Sequence, residues 1–266
     1  MNPVEIRRGD NPVVLGLPHT GTHVPSDIFD RLTPLGKTLS DTDWHIELLY
    51  GGLLENASSV RATFHRYVID ANRDPSGASL YPGQNTTGLV PFTDFDGKPL
   101  WHENPGDHEI EDRRERFHAP YHAALQAELE RVRSIHGVAI LYDCHSIRSH
   151  IPFLFEGKLP DFNIGTNEGV TCAPVIEKAV ADICANAAGY TSILNGRFKG
   201  GWTTRHYGRP ADGFHAIQME LAQSTHLETE SLPFAYDSAK AAVVRTHLKS
   251  ILETLENLAP SLGARS

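Results

Sequence analysis

The sequence predicts one α/β domain, a mixed and largely parallel sheet with helices on both faces. Three observations predict it. Short continuous apolar runs, Val13–Leu17 and Val138–Tyr142, read as strands buried on both faces. Stretches with apolar residues three and four apart read as amphipathic helices. The two kinds of segment alternate along the chain, and no break in composition marks a boundary, so residues 1–266 form a single domain.

Taken in order, Val13–Leu17 is the first strand and ends at Pro18-His19. Ser40 or Asp41 N-caps a helix that runs through Trp44, Leu48 and Leu49 to about Leu54. Val60–Ile69 is rich in β-branched and aromatic residues and reads as a strand ending at Asp70-Ala71-Asn72-Arg73. Residues 74–106 carry five prolines and five glycines and no periodicity. Loops of that length act as lids or binding loops, and Tyr81, Phe92, Phe95, Leu100 and Trp101 argue against disorder here. The helix that follows sets Phe117, Tyr121, Leu125, Leu129 and Val132 on one face. Val138–Tyr142 is the central strand, Phe162–Gly165 a short one. Ala173–Ala188 is a helix with Ile176, Val180, Ile183 and Ala187 inward. Tyr190–Leu194 and Ala216–Leu221 are strands, and Phe234–Leu258 is a closing amphipathic helix.

The composition excludes several classes. With 40% hydrophobic and 21% charged residues the chain is neither disordered nor collagenous. A net charge of −9 argues against nucleic acid or an anionic membrane surface as the partner, though a locally basic pocket can still take a small anion. Three cysteines without a Cys-x-x-Cys pair argue against a disulfide framework and for a reducing cytoplasm. Met1–Asp10 has no apolar core of a signal peptide, and no apolar run approaches the roughly 18 residues of a membrane span. No Gly-x-Ser-x-Gly, P-loop or Gly-x-Gly-x-x-Gly occurs, against hydrolase-elbow, nucleotide and dinucleotide readings.

Histidine, at 15 residues, directs attention to metal or acid–base chemistry. Ligands in open α/β sheets sit beyond the carboxyl ends of strands. His19 stands at one such end. Asp70, Asn72 and Arg73 stand at a second, Asp143 and His145 at a third, and Glu220 within a late apolar strand. Imidazole suits zinc, and Asp143 can orient His145 from the same face of its strand. Asn72-Arg73 is a donor array fit for a carboxylate. Glu220 between Met219 and Leu221 is a buried carboxylate of the kind whose raised pKa suits a general base. Each has a plainer reading: a loop histidine for His19 or His23, an N-cap for Asp41, a surface ion pair for Arg73. His118 and His122 sit beside the apolar face of their helix and read as packing residues.

Together, Pro18-His19-Thr-Gly-Thr, Ser40-Asp-Thr-Asp43-Trp, Asp70-Ala-Asn72-Arg73-Asp-Pro, Asp143-Cys-His145-Ser and Met219-Glu220-Leu resemble the N-formylglutamate amidohydrolase family. The resemblance spans about residues 12–256. It implies a zinc carboxypeptidase-like, phosphorylase/hydrolase-like fold, related to aspartoacylase-like deacylases. It implies one zinc ion per chain on His19, a second ligand and His145, with Asn72 and Arg73 on the substrate carboxylate and Glu220 as base. The His-x-x-Glu pattern of the wider group places Thr22 at the second ligand, a poor one, so Asp43 is the choice, with His23 and His45 open.

The implied reaction is hydrolysis of N-formyl-L-glutamate to L-glutamate and formate, ending a route of histidine degradation. The substrate is a small dianion, so a second cation is expected: Arg148, Arg205 or Arg209. Gly200-Gly201-Trp202-Thr-Thr-Arg205 reads as a glycine-hinged mobile loop. Two rivals are another N-acyl amino acid deacylase on this fold and a non-catalytic metal- or amino-acid-binding protein. No feature of the sequence sets the oligomeric state.

Overall fold

The structure is a computed structural model, which describes residues 2–79, 83 and 85–263. Tyr81, counted among the aromatic residues of the long loop, lies outside the described residues. The described strands form one sheet. They are β1 (Val4–Arg7), β2 (Val13–Leu17), β3 (Ser58–Ala62), β4 (Ala139–Ile147), β5 (Phe162–Gly165), β6 (Ser192–Leu194) and β7 (Phe214–Ala222), in the order β1-β3-β2-β4-β7-β5-β6. The four central strands, β3, β2, β4 and β7, are parallel. The antiparallel steps are β1 on β3 and β5 on β7, so the sheet is mixed, as expected.

Every residue of β2, β4 and β7 is buried, as central parallel strands require, the polar Asp143, His145, Gln218 and Glu220 of β4 and β7 included. Side chains alternate between two cores. Ile140, Tyr142 and Cys144 face one with α5 (Pro174–Ala185) and α7 (Ser238–Gly263). Ala139 and Leu141 face the other, covered by α4 (Ala119–His136) through Tyr121, Leu125, Leu129 and Val132. The helices of lesser extent are α1 (Ser26–Phe29), α2 (Ile46–Tyr50), α3 (Asp107–Arg113) and α6 (Trp202–Tyr207). A π-turn over Arg114–His118 joins α3 to α4.

Four elements differ from the sequence expectation. The helix expected from Ser40 or Asp41 to Leu54 is only α2, with His45 as its N-cap at φ 60°. Asp41 is not a cap; it is buried and accepts the Phe95 N–H across the molecule at 3.0 Å. The strand expected over Val60–Ile69 leaves the sheet after Ala62. Val68 and Ile69 are fully buried all the same, packed rather than paired. Their backbone is satisfied from outside a ladder: Val68 O accepts from Arg113 Nη1 at 3.1 Å, and the Asp70 N–H donates to Leu89 O at 2.7 Å. The glycine-hinged loop is the helix α6, capped by Gly201 with Thr203 and Thr204 buried. Strand β1, with three exposed residues of four, carried too weak an alternation to read.

Candidate active site

The site gathers at the carboxyl end of the parallel strands, where ligands of open α/β sheets bind. His19 follows β2 by two residues, and its carbonyl accepts the Asp43 N–H at 3.1 Å, which ties the loop before α2 to the end of β2. On β4 and β7 the register sets His145 opposite Glu220 and Asp143 opposite Gln218. Laterally paired residues share a face of the sheet. One strand pair therefore presents His145 and Glu220 side by side, with Asp143 and Gln218 one pleat behind.

His19, Asp43 and His145 are all buried, and one ligand-type atom from each lies within 4.8 Å of the others. The two imidazoles face each other Nδ1 to Nδ1 at 3.2 Å. Asp43 Oδ2 is 3.2 Å from His145 Nδ1 and 3.7 Å from His19 Nδ1. Carboxylates stand behind both rings. His19 Nε2 is 2.6 Å from Asp70 Oδ1, and His145 Nε2 is 3.2 Å from Asp143 Oδ1. A carboxylate behind an imidazole holds the proton on the rear nitrogen and turns the lone pair forward. Both Nδ1 atoms and Asp43 Oδ2 are thus aimed at one point, where positive charge is favoured. This donor set fits a divalent ion with two imidazoles and one carboxylate, the mixed ligation that zinc accepts. Among the described residues it is the cluster of three such side chains with that geometry.

The electrostatics agree. Burial opposes charge on His145, yet Asp143, Asp43 and Glu220 outweigh it and hold its pKa well above the usual histidine range. The pocket thus stabilises positive charge at this spot. Burial also penalises the Asp43 carboxylate, but Arg66, His19 and His145 keep it ionised, far below the ordinary range. Glu220 behaves oppositely. Burial pushes its carboxyl up to about 8, with His145 opposing and Asp43 adding to the rise. Its Oε2 accepts from Gln218 Nε2 at 3.2 Å.

A cavity of about 310 Å³ opens over the cluster. His19, His145, Glu220, Asn72 and Arg73 line it. The Asn72 amide is held by the Thr203 N–H, which its Oδ1 accepts at 2.9 Å, and its Nδ2 lies 3.2 Å from His145 Nε2. Arg73 donates from Nε and Nη2 to Thr87 and from Nη1 to the Asn72 carbonyl. Those bonds use three of its five N–H groups and leave one hydrogen on each terminal nitrogen. The other three arginines singled out from sequence are not among the lining residues. Arg148 turns to Asp96 at 3.1 Å, Arg205 bonds the Gly200 carbonyl from within α6, and Arg209 lies over Phe214. His45 bonds the Phe234 carbonyl, and the His23 backbone pairs with Thr63 and His65; neither joins the cluster.

Sequence reading placed Asp70 at a strand end without giving it a role, and missed Arg66 and Gln218 as site residues. Arg66 is buried in the cavity wall, with Nη2 on Asp43 Oδ1 at 2.6 Å and its guanidinium over the Phe95 ring. The signal for it was an arginine in the β-rich stretch Val60–Ile69, one it shares with Arg61, which pairs with Glu5 instead.

Known proteins resemble this chain closely. A curated N-formylglutamate deformylase of Pseudomonas putida is 46% identical over 255 residues, 95% of each chain. One from Pseudomonas aeruginosa PAO1 is 44% identical over 257 residues, again 95% of each. Among solved structures, an N-formylglutamate amidohydrolase from Ralstonia eutropha JMP134 shares the fold, with a TM-score of 0.81 at 24% identity over 98% of this chain and 99% of that one. A gene product of Agrobacterium tumefaciens does so at 0.71 and 15% identity, over 96% and 94%. The profile of the N-formylglutamate amidohydrolase family matches residues 11–227, which span the first ligand loop to the end of β7. The chain belongs to the N-formylglutamate amidohydrolase family.

Proposed function

We infer that the protein is a zinc-dependent hydrolase that cleaves N-formyl-L-glutamate to L-glutamate and formate. One observation carries the reading. The His19, Asp43 and His145 donors converge beside a buried carboxyl group, Glu220, and His19, His145 and Glu220 line a cavity together with Asn72 and Arg73. The names of the Pseudomonas relatives supply the acyl group and the amino acid.

His19, Asp43 and His145 would hold the ion, leaving an open position. A zinc ion there supplies a Lewis acid that polarises the formyl carbonyl and acidifies water. The remaining steps fall to the chain. Arg73, aimed by its bonds to Thr87, takes the substrate carboxylate nearest the amide, and Asn72 beside it orients that end. Glu220 removes a proton from the attacking water. Its raised pKa makes it strong enough to accept that proton and to pass it to the departing nitrogen. The nitrogen leaves as the glutamate amine, and formate takes the hydroxyl oxygen. Burial of the whole group strengthens each of these charge interactions. By the family resemblance, this reaction closes a route of histidine degradation.

The test is release of formate from N-formylglutamate and of acetate from N-acetylglutamate by zinc-loaded protein. Turnover of the formyl compound, abolished by a chelator and restored by zinc, is expected. Faster release of acetate from the acetyl compound would reassign the protein to another acyl group. Stoichiometric metal with no turnover of either would make it a binding protein.

A further inference from the structure

N-formylglutamate carries two carboxylates, and Arg73 accounts for one. The three arginines singled out for the other are not among the residues that line the cavity. Among the described residues, the arginines that line it are Arg66, Arg73 and Arg197. Arg66 is committed to Asp43. We propose that Arg197, on the segment between β6 and α6, binds the side-chain carboxylate of the substrate and sets the preference for glutamate. The proposal rests on the functional reading above and deepens it.

Three observations place Arg197 in that role. First, its guanidinium is oriented: Nε donates to the Leu154 carbonyl and Nη2 to the Asn85 carbonyl, each at 3.0 Å. Both acceptors are carbonyls, and these bonds fix the plane of the group. An arginine already held in one plane loses less entropy when a carboxylate docks. Second, the environment is partly dry. Phe198 lies under the guanidinium at 5.4 Å, and Leu154 and Phe198 line the cavity with it. An ion pair there is screened less than one on the open surface.

Third, the depth is right. Asn72 lies 3.2 Å from His145, so the carboxylate held by Asn72-Arg73 is next to the reacting carbonyl. In N-formylglutamate that is the α-carboxylate, carried by the carbon that bears the amide nitrogen. Arg197 is anchored on Leu154 and Asn85, which are more exposed than the buried His19, His145 and Glu220. Its anchors therefore place it at the outer wall of the cavity, the part left for the end of the two-methylene side chain in this proposal. Asn85 also donates to Phe153 O at 2.8 Å, so the outer wall is tied together across three loops.

The plainer role is a staple that joins those loops through carbonyls. The two roles separate with a neutral isostere. N-formylglutamine keeps the α-carboxylate and the length of the side chain but lacks the second charge. Zinc-loaded wild type should prefer N-formylglutamate over N-formylglutamine by more than about tenfold in kcat/KM, because a charge-assisted pair contributes roughly one to two decades. Arg197→Met should lower kcat/KM for N-formylglutamate by about 10- to 100-fold and leave N-formylglutamine within about threefold. Arg197→Lys should fall between, keeping the charge but not the fork. Arg73→Met should depress both substrates, since both carry the α-carboxylate. Equal losses on the two substrates in Arg197→Met would make Arg197 a staple and overturn the proposal. So would a wild type that turns over both substrates alike, a result that needs no variant to fold. If zinc-loaded wild type releases no formate from N-formylglutamate, the functional reading fails and takes this one with it. If it does and the selectivity tests fail, only Arg197 is misassigned.

Discussion

Glu220 shows how one residue type acquires different chemistry from its surroundings. Asp43 and Glu220 are both buried carboxylates, yet one is held ionised by Arg66 and two histidines while the other is driven up to about 8 by burial. These environments suit the roles proposed for them, Asp43 to ligate a cation and Glu220 to take and give a proton. Glu220→Gln should therefore cut kcat by roughly 10²–10⁴-fold. Zinc content, measured by elemental analysis, should stay at one ion per chain, and Tm should not fall, because the amide removes a buried ionisable group. A loss of less than about tenfold would make Glu220 structural. His19→Ala and His145→Ala should instead lose metal and activity together; full metal content in either would remove it from the ligand set. At this scale the sequence was most legible where a strand end and a motif coincided, as for His19, His145 and Glu220. Arg66, and the role of Asp70 behind His19, were illegible because the chain between β3 and the long loop is buried without being a strand. Their partners, Asp43 and His19, come from elsewhere in the fold.

At the scale of elements, the site depends on two short pieces that sequence patterns describe poorly. The first is α6. Its N-terminal Thr203 N–H fixes the Asn72 amide, and Gly201 passes so close that an added Cβ would lie 2.3–2.6 Å from the Asn72 amide atoms. The obstruction is the far end of a side chain and not backbone, so the fold can yield by moving Asn72. Gly201→Ala is expected to leave Tm within a few degrees while lowering kcat/KM by tenfold or more. A variant with wild-type kinetics would show that Asn72 needs no such positioning. The second piece is the histidine pair of the π-turn and α4. His118 and His122 read as packing residues from sequence, and both are buried. Yet each turns a ring nitrogen to a carbonyl on either side of Asn72: His122 to Ala71 at 2.8 Å and His118 to Arg73 at 3.0 Å. Such bonds are set by where two distant segments meet, which no local periodicity records. The long amphipathic face of α4 was legible because its pattern is local. The true length of α2 was not, because the chain before it is spent in carrying Asp43 to His19.

For the molecule as a whole, the parallel strands and the two cores form a rigid base, and chemistry is confined to one edge of it. That plan was readable from the buried strands and the helix stripes. The price is a set of histidines sealed inside as neutral groups. Burial pushes His226 down to about 4 from an ordinary 6.5, with its bond to the Trp44 carbonyl opposing, and burial pushes His215 to about 4 as well. His226 is fully buried between Trp44 O at 3.1 Å and Thr225 Oγ1 at 3.1 Å, so it ties the end of β7 to the loop that carries Asp43. Its charged neighbours are His45, Asp43 and Lys240. The sign of the pH effect follows from which state binds the proton. Above pH 6.5 the histidine is neutral folded and unfolded, and it adds no pH dependence. Between 6.5 and 4 the unfolded chain takes up a proton that the fold excludes, so stability falls with falling pH. Below 4 both states are protonated and the loss levels off. Each such histidine steepens the decline by up to about 1.4 kcal/mol per pH unit. Chemical denaturation of wild type and His226→Gln across this range should show the variant's stability falling less steeply, by about one proton's slope. The variant starts lower at pH 7, where it has lost a buried hydrogen bond, so the two curves converge on acidification. Parallel curves would mean that His226 is protonated within the fold, and the acid lability would then belong to the carboxylates around His19 and His145.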